Sequence, residues 1–356
     1  MSEAVIQTEK SVGVEVTTSA FKSVCLDGGG NIINTYDAPM IRGDETVPQL
    51  VAFIRELLVK FGNFEHLGVA IPGLVNRDTR RIAFSTSFPE HQEIDLLAEL
   101  EKVTKLKILI ENDANAAAFG EYMLGAGRES RSMFYVTLGA GVGGAFIFDS
   151  KIWHGIKGFA GEFGYLAIDE DGTRLEDVAS ATNIIRRTRS RFHQDSTSSL
   201  GKLPEAEITV ADVVREAREG DDFAHLMLER TGTYVGTAIA GVINLLNLEK
   251  IVIGGEVMHA EHTVLDAIIN RDRPFPRRHC HHEGRRVHRS TPGFSAHRTP
   301  EHRPPFHDEH LVGPTARGQH VRVPLETPQH RTGLVTRAPQ PKAACPLDTG
   351  VARANS

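Results

Sequence analysis

Cysteine is scarce in this chain of 356 residues: Cys25, Cys280 and Cys345 lie far apart and form no C-x-x-C pair. That usage excludes a disulfide framework and a Cys-rich zinc site, and it fits a reducing, cytoplasmic setting. Long apolar runs are missing too. Residues 1–11 are polar, carry both charge signs and have no apolar h-region, and the later apolar stretches are broken by Asn, Thr, Gly and charges. No membrane span or leader is therefore expected. The body also lacks a basic footprint. Residues 271–356 hold 15 Lys and Arg against 7 Asp and Glu, so the first 270 residues carry a net charge of -14 within a total of -6. No nucleic-acid partner is expected for such a body. If it binds a phosphate at all, local backbone amides and a divalent cation must do the work, because the long-range field repels anions.

What is present is enough apolar residue, 40% of the chain, to bury one large core or two moderate ones, and two domains with a cleft between them are expected. Val12 to Asp27 alternates and is rich in Val, which predicts paired strands, and Asp27-Gly28-Gly29-Gly30-Asn31 turns into a third strand at Ile32-Ile33. Val47, Leu50, Val51, Ile54, Leu57 and Leu58 have helical spacing and predict a helix over 46–61. His66 to Ile71 reads as a strand ending in Pro72-Gly73, and a helix near 94–103 leads into a strand at Ile108. The order βββαβαβ begins again at Phe134 and closes with a strand over Lys250 to Ile253, suggesting two related α/β halves. Near Arg271 the character changes: 12 of the 17 prolines and 10 of the 17 histidines lie from there on, with few long apolar residues. Disorder is the expectation for that composition.

Chemistry concentrates in a few places. The strand from Ile108 ends in Glu111-Asn112-Asp113 and turns into an alanine-rich helix, placing an amide and a carboxylate at a strand's carboxyl end, where open α/β sheets bind ligands. A carboxylate there can take a proton from a substrate hydroxyl. Taken alone, Asn112-Asp113 reads more simply as a helix N-cap with an acidic first turn. Gly139-Ala-Gly141-Val-Gly143-Gly144 matches G-x-G-x-x-G, yet Ala145 to Phe148 continues as a strand where a dinucleotide fold needs a helix. Such a turn between strands either brings N–H groups against phosphate oxygens or is a plain Gly-rich hairpin. Gly158 to Tyr165 sets Glu162 among three glycines, and Ile251-Val-Ile-Gly254-Gly255 runs a buried strand into a glycine pair suited to a flat ring lying on backbone.

In this order the motifs resemble the ROK family (repressor, open reading frame, kinase), its glucokinase-like members most of all, over about Val12 to Leu265. The resemblance implies an α/β, two-domain, actin-like (ribonuclease H-like) ATPase fold of mixed sheets flanked by helices, with sugar and ATP meeting in the interdomain cleft. Residues 1–112 would form a small domain with the sugar site and first phosphate loop. Residues 113–270 would form a large domain with the phosphate and adenosine side, and 271–356 a basic tail that is disordered or read out of frame. By resemblance Asp113 is the general base on the sugar 6-hydroxyl, and Asn112, Glu162, Glu176, Gly73 and Ser87 are sugar-side residues. Gly139 to Gly144 corresponds to the second phosphate loop and Gly254-Gly255 to the adenosine side. ATP and Mg²⁺ are the implied cofactors, a hexose, most of all glucose, the implied substrate, and a homodimer the implied assembly.

The departures from the family are specific. In place of Asp-x-Gly-Gly-Thr the chain has Glu15-Val-Thr17-Thr18-Ser19. β-Branched residues tolerate positive φ poorly and crowd a backbone that must touch phosphate, so weakened ATP binding is expected, with Glu15 still able to hold Mg²⁺ through water. Tyr165 stands where the family has a histidine, and Asp169 to Leu175 has no cysteine, so no structural zinc is expected. The rival readings are a non-catalytic ROK sugar sensor, since ROK repressors share a degenerate first phosphate loop, and an inactive pseudokinase. A DNA-binding repressor is expected to need more than the eleven residues that precede Val12.

Overall fold

The computed structural model describes residues 10–41, 46–76, 78–79, 81–85, 95–192 and 197–271, together with the backbone of 288–289 and 321–324. The first half is built from β1 (Ser11–Val16), β2 (Ala20–Leu26), β3 (Ile32–Pro39), α1 (Thr46–Phe61), β4 (His66–Ile71), β5 (Leu74–Asn76), β6 (Arg81–Phe84), α2 (Leu96–Glu101) and β7 (Lys107–Asn112). Its five-stranded sheet has the order β3-β2-β1-β4-β7. The β1, β2 and β3 strands form an antiparallel meander, whereas β1, β4 and β7 are mutually parallel. Parallel pairing has a direct consequence: the carboxyl ends of β1, β4 and β7 open on one edge, with Glu15 in register with Ala70 and Ala70 with Glu111.

Helix α1 forms where the apolar spacing predicts it. Leu50, Phe53, Ile54, Leu57 and Phe61 face inward against Val12, Val14, Leu67 and Val69 of the sheet. Ile54 and Leu57 are fully buried, and each such side chain stabilises the fold by about 1.5–3 kcal/mol. The third strand is longer than expected and runs on to Pro39, while the small β5–β6 hairpin was not anticipated.

The second half comprises α3 (Asp113–Leu124), β8 (Ser132–Leu138), β9 (Val142–Phe148), β10 (Lys151–Ile152), α4 (Leu175–Ala179), α5 (Ala181–Arg191), α6 (Val210–Arg218), α7 (Asp222–Leu246), β11 (Lys250–Gly254), α8 (His262–Arg271), β12 (His288–Arg289) and β13 (Val321–Pro324). Its sheet order is β10-β9-β8-β11-β13-β12, with β8 and β11 parallel. One face packs on α4 to α8 through Phe134, Val136, Ile251 and Ile253, and the other on α3 through Met133, Tyr135 and Val252. Alternate residues of the same strands thus serve two cores, as a period of two requires. Helix α7 starts on Asp221, whose carboxylate accepts from the Ala224 N–H at 2.8 Å, and stops at Asn247 in the left-handed conformation.

Both sheets belong to one compact unit, residues 1–326. The chain passes from the first sheet to the second at the β7–α3 junction, residues 112 and 113. Within the tail, β13 pairs antiparallel with β11, and β12 with β13. The rest of 272–356, expected to be disordered or out of frame, lies outside the described residues. No helix among the described residues is long and apolar enough to cross a membrane.

Candidate active site

The β7–α3 junction supplies the central carboxylate. Asn112, at φ -60° and ψ 144°, caps α3, and its Oδ1 accepts from the Asn115 N–H at 3.0 Å. Both hydrogens of its amide are engaged as well, donating to the Gly73 carbonyl at 2.9 Å and to Asp113 Oδ1 at 3.0 Å. Asp113 Oδ1 also accepts from the Ala114 N–H at 2.9 Å. The cap and the functional reading therefore describe the same residues: the capping geometry aims Asp113. Gly73 sits at φ +121°, and a Cβ there would meet Ser85 Cβ at 2.8 Å, so only glycine lets the β4 end pass beneath the β5–β6 hairpin and present its carbonyl to Asn112.

Electrostatics brings the other carboxylates to Asp113. Burial pushes the Asp113 carboxyl up to about 6, against the pull of its hydrogen bonds to Ala114 and Asn112. Glu162 is raised by burial and then by the charges of Asp113 and Glu176. Burial raises Glu15 to about 7, with Lys22 opposing and Asp113 and Asp37 adding to the rise. Glu15, Asp113, Glu162 and Glu176, picked from four separate segments of sequence, thus share one field.

The glycine turns lie along the adjoining edge. Gly139 to Gly141 connect β8 to β9, and the Gly139 N–H donates to the Gly141 carbonyl at 2.9 Å. The start of α5 pins this turn, with the Ala181 N–H donating to the Gly139 carbonyl at 2.8 Å and the Thr182 hydroxyl to the Ala140 carbonyl at 3.0 Å. Glu176 Oε2 accepts from the Val142 N–H at 2.9 Å, and a Cβ on Gly141 would meet the same oxygen at 2.7 Å. The carboxylate expected on the sugar thus also rests on the glycine turn expected to meet phosphate. Gly254 ends β11 opposite Thr137, and Gly255, at φ +96°, lies so close to the Leu138 backbone that a Cβ would fall 2.6 Å from its carbonyl carbon.

At the first phosphate loop the expected physical reason needs correcting. Neither Thr17 nor Thr18 is among the described non-glycine residues with positive φ, so the turn is not strained. Instead the Thr17 hydroxyl donates to the Ala20 carbonyl at 2.8 Å and accepts from the N–H groups of Ala20 at 3.0 Å and Ser19 at 3.4 Å. The Thr17 hydroxyl thus occupies the Ser19 and Ala20 amides of this turn. Ser87 lies outside the described residues.

Two residues gained no role from the sequence. Glu111 Oε2 accepts from His154 Nε2 at 2.7 Å, and Glu111 Oε1 accepts from the Asn112 N–H at 2.9 Å and Asn115 Nδ2 at 3.1 Å. Burial pushes the Glu111 carboxyl up, but the hydrogen bond and charge of His154, with Asn115 and Asn112, outweigh it and hold the group below the ordinary carboxylate value. His154 lies 43 residues from Glu111, and a lone histidine after a two-residue strand gives no local signal. No group of three or more His, Cys, Asp or Glu side chains among the described residues could hold a metal ion. Tyr165 lies under the Arg174 guanidinium, 5.0 Å from its ring centre, and Arg174 pairs with Asp177 at 2.9 Å. That stack braces the segment between Glu162 and Glu176.

Two mixed sheets flanked by helices, with carboxylates and glycine turns gathered at their strand ends, are the architecture of the actin-like ATPases, and solved structures share it. A ROK family glucokinase from Streptomyces griseus, solved with glucose and AMPPNP, aligns with a TM-score of 0.66 at 26% identity, over 74% of this chain and 88% of that one. The chain belongs to the ROK family, which it matches over residues 11–282. The match runs beyond Leu265, where the motifs alone placed its end. A glucokinase from Halalkalibacterium halodurans is 34% identical over 276 residues, 72% of this chain and 83% of its own length. Regulators are relatives as well: the xylose repressor of Bacillus subtilis is 23% identical over 272 residues, 72% of this chain and 67% of its own.

Proposed function

We propose that the protein transfers the γ-phosphoryl group of ATP to the 6-hydroxyl of a hexose, with glucose as the preferred substrate. The observation that carries the reading is Asp113. It stands at the carboxyl end of a parallel strand, and both its bonds to Asn112 and Ala114 fall on Oδ1, leaving Oδ2 for a substrate hydroxyl. A carboxyl near 6 is ionised at neutral pH yet basic enough to accept the hydroxyl proton. General-base help of this kind contributes about 10²- to 10⁴-fold, and positioning supplies most of the rest in phosphoryl transfer. Glu162 and Glu176 are suited to hold sugar hydroxyls, and Asn112 acts through Asp113 and Gly73. On the nucleotide side the 139–144 turn with the start of α5 serves the phosphates, and the Gly254-Gly255 pair the adenosine.

Glu15 fits the role of the Mg²⁺ residue. Its Oε2 is buried and has no hydrogen-bond partner, an orphaned carboxylate oxygen of the kind a hard cation satisfies. When bound, Mg²⁺ would neutralise phosphate charge as it moves to the acceptor. A small domain over 1–112 and a large one over 113–270 remain part of this reading, as do a homodimer, a cytoplasmic setting and the absence of nucleic-acid or membrane partners.

A second reading, a sugar-sensing protein without turnover, is favoured by one observation: the Thr17 hydroxyl occupies the amides of the first phosphate turn. A coupled ADP-release assay across glucose, mannose, N-acetylglucosamine, N-acetylmannosamine and fructose separates the two. Hexose-dependent ADP formation is expected, fastest with glucose. Sugar binding without ADP formation would establish the sensor instead.

A further inference from the structure

The proposed chemistry makes no use of the Glu111–His154 pair, yet this pair joins the two elements that must act together. Glu111 is the penultimate residue of β7, and through its Oε1 it holds the Asn112 N–H and Asn115 Nδ2, the groups around which α3 starts. Asn112 in turn holds Asp113 Oδ1. On the other side His154 is the second residue of the loop that follows β10. The Ala160 N–H donates to the His154 carbonyl at 3.1 Å, and the chain proceeds through Gly161 to Glu162. One bond of 2.7 Å therefore links the strand end that carries Asp113, in the first sheet, to the loop that carries Glu162, beside the second.

We infer that His154 is a positioning residue whose bond to Glu111 sets the spacing between Glu162 and Asp113, so that one hexose can meet ligand and base at once. The inference rests on the hexose-kinase reading for its kinetic test. The two side chains are only 13% and 15% exposed, and a buried pair of this kind is weak support for stability because desolvation offsets the attraction. What it does provide is fixed geometry, and a displacement of about 1 Å in a reacting group can reduce a rate about 10²-fold. The same loop makes a second bridge, Lys157 to Asp78 at 3.2 Å, but with side chains 60% and 65% exposed. An exposed bridge of that kind fixes little, which makes it the natural control.

The test uses the full chain and compares His154→Ala, His154→Gln, Glu111→Gln, the double variant His154→Ala/Glu111→Gln, and Lys157→Ala. His154→Ala is expected to lower kcat at least about tenfold while the KM for ATP stays within about twofold, since no phosphate turn is touched. The amide of His154→Gln can still donate and should recover a third or more of the lost kcat. The double variant should be no worse than the poorer single one, because both remove the same link. Lys157→Ala should remain within about twofold of the wild type. Additive losses in the double variant, no rescue by glutamine, or an equal loss in Lys157→Ala would each overturn the inference.

Failure of the kinase reading can be told apart. Trp153, the single tryptophan of the chain, adjoins His154, is half-exposed and packs edge-on against Phe146 and Phe148, so its fluorescence reports sugar binding without turnover. If the wild type binds glucose but forms no ADP, the kinase reading falls, and the link is judged on the glucose Kd: tenfold weakening in His154→Ala with rescue by glutamine supports it, an unchanged Kd overturns it. If no hexose binds, amide exchange decides. Faster exchange at Asn112 and Ala160 in His154→Ala supports the link, and unchanged exchange overturns it.

Discussion

Asp113 is placed where stability and the proposed chemistry make opposite demands. Its carboxyl is raised from 3.8 to about 6, so the folded protein favours the protonated form and ionisation at neutral pH works against folding. The sign follows directly. The destabilisation is absent below pH 4, grows as pH rises from the ordinary carboxylate value to about 6, and is complete above that. Asp113→Asn is therefore expected to lower hexose phosphorylation by about 10²-fold or more and yet to raise the melting temperature by several degrees at pH 7.5, with the gain gone at pH 4. Melting curves at the two pH values check the second part; a variant that is less stable at pH 7.5 would mean that the carboxylate is held by more than Asn112 and Ala114. For the wild type, kcat/KM should fall as pH drops through about 6, the limb being that of a base that must be ionised. At this scale the sequence was informative where the candidate site coincides with a local signal. Asn112 and Asp113 are adjacent and cap a helix, and Glu162 stands among glycines. His154 and Glu111 pair across 43 residues, and nothing short-range marks that contact.

In the turn between β1 and β2 the structure replaces the physical reason that the residues suggested. The departure at Thr17-Thr18 was visible in the residues, but the objection lies in hydrogen bonding rather than backbone strain, since the Thr17 hydroxyl holds the Ser19 and Ala20 amides. Replacing Thr17 and Thr18 with glycine frees those amides and is expected to tighten ATP binding, measured as Kd by calorimetry, at a modest loss of stability from the more flexible turn. An unchanged or weaker Kd would show that the threonine hydroxyls serve as ligands themselves. Other elements were legible in proportion to their length. Helix α1 offers four turns of periodic apolar residues and falls on its expected bounds, whereas β5, β6 and β10 are two to four residues long and carry no alternation to read. Yet β10 and its following loop carry His154.

At the scale of the molecule, the tail and the second sheet lead to opposite expectations. Composition alone makes residues from Arg271 onward a passenger, disordered or out of frame, whose removal should leave the body unchanged. The strand pairing says otherwise. β11 is buried at all five positions and parallel to β8 on one side, while its other side is covered by β13, with Lys250 opposite Pro324 and Ile253 opposite Val321. Without that cover, an apolar strand would present a row of unpaired backbone groups, the usual template for association between copies. The family match ends at residue 282, so a chain stopped there keeps the whole of that match and loses β12 and β13. That shortened chain is expected to melt several degrees lower than the full one, as the loss of a few net hydrogen bonds of about 0.5–1.5 kcal/mol each would produce, and to associate with rising concentration. Differential scanning calorimetry and light scattering on the two chains measure both effects. Equal melting temperatures and equal mass would leave the tail a passenger, and the edge of β11 would then have to be covered by something other than residues 321–324.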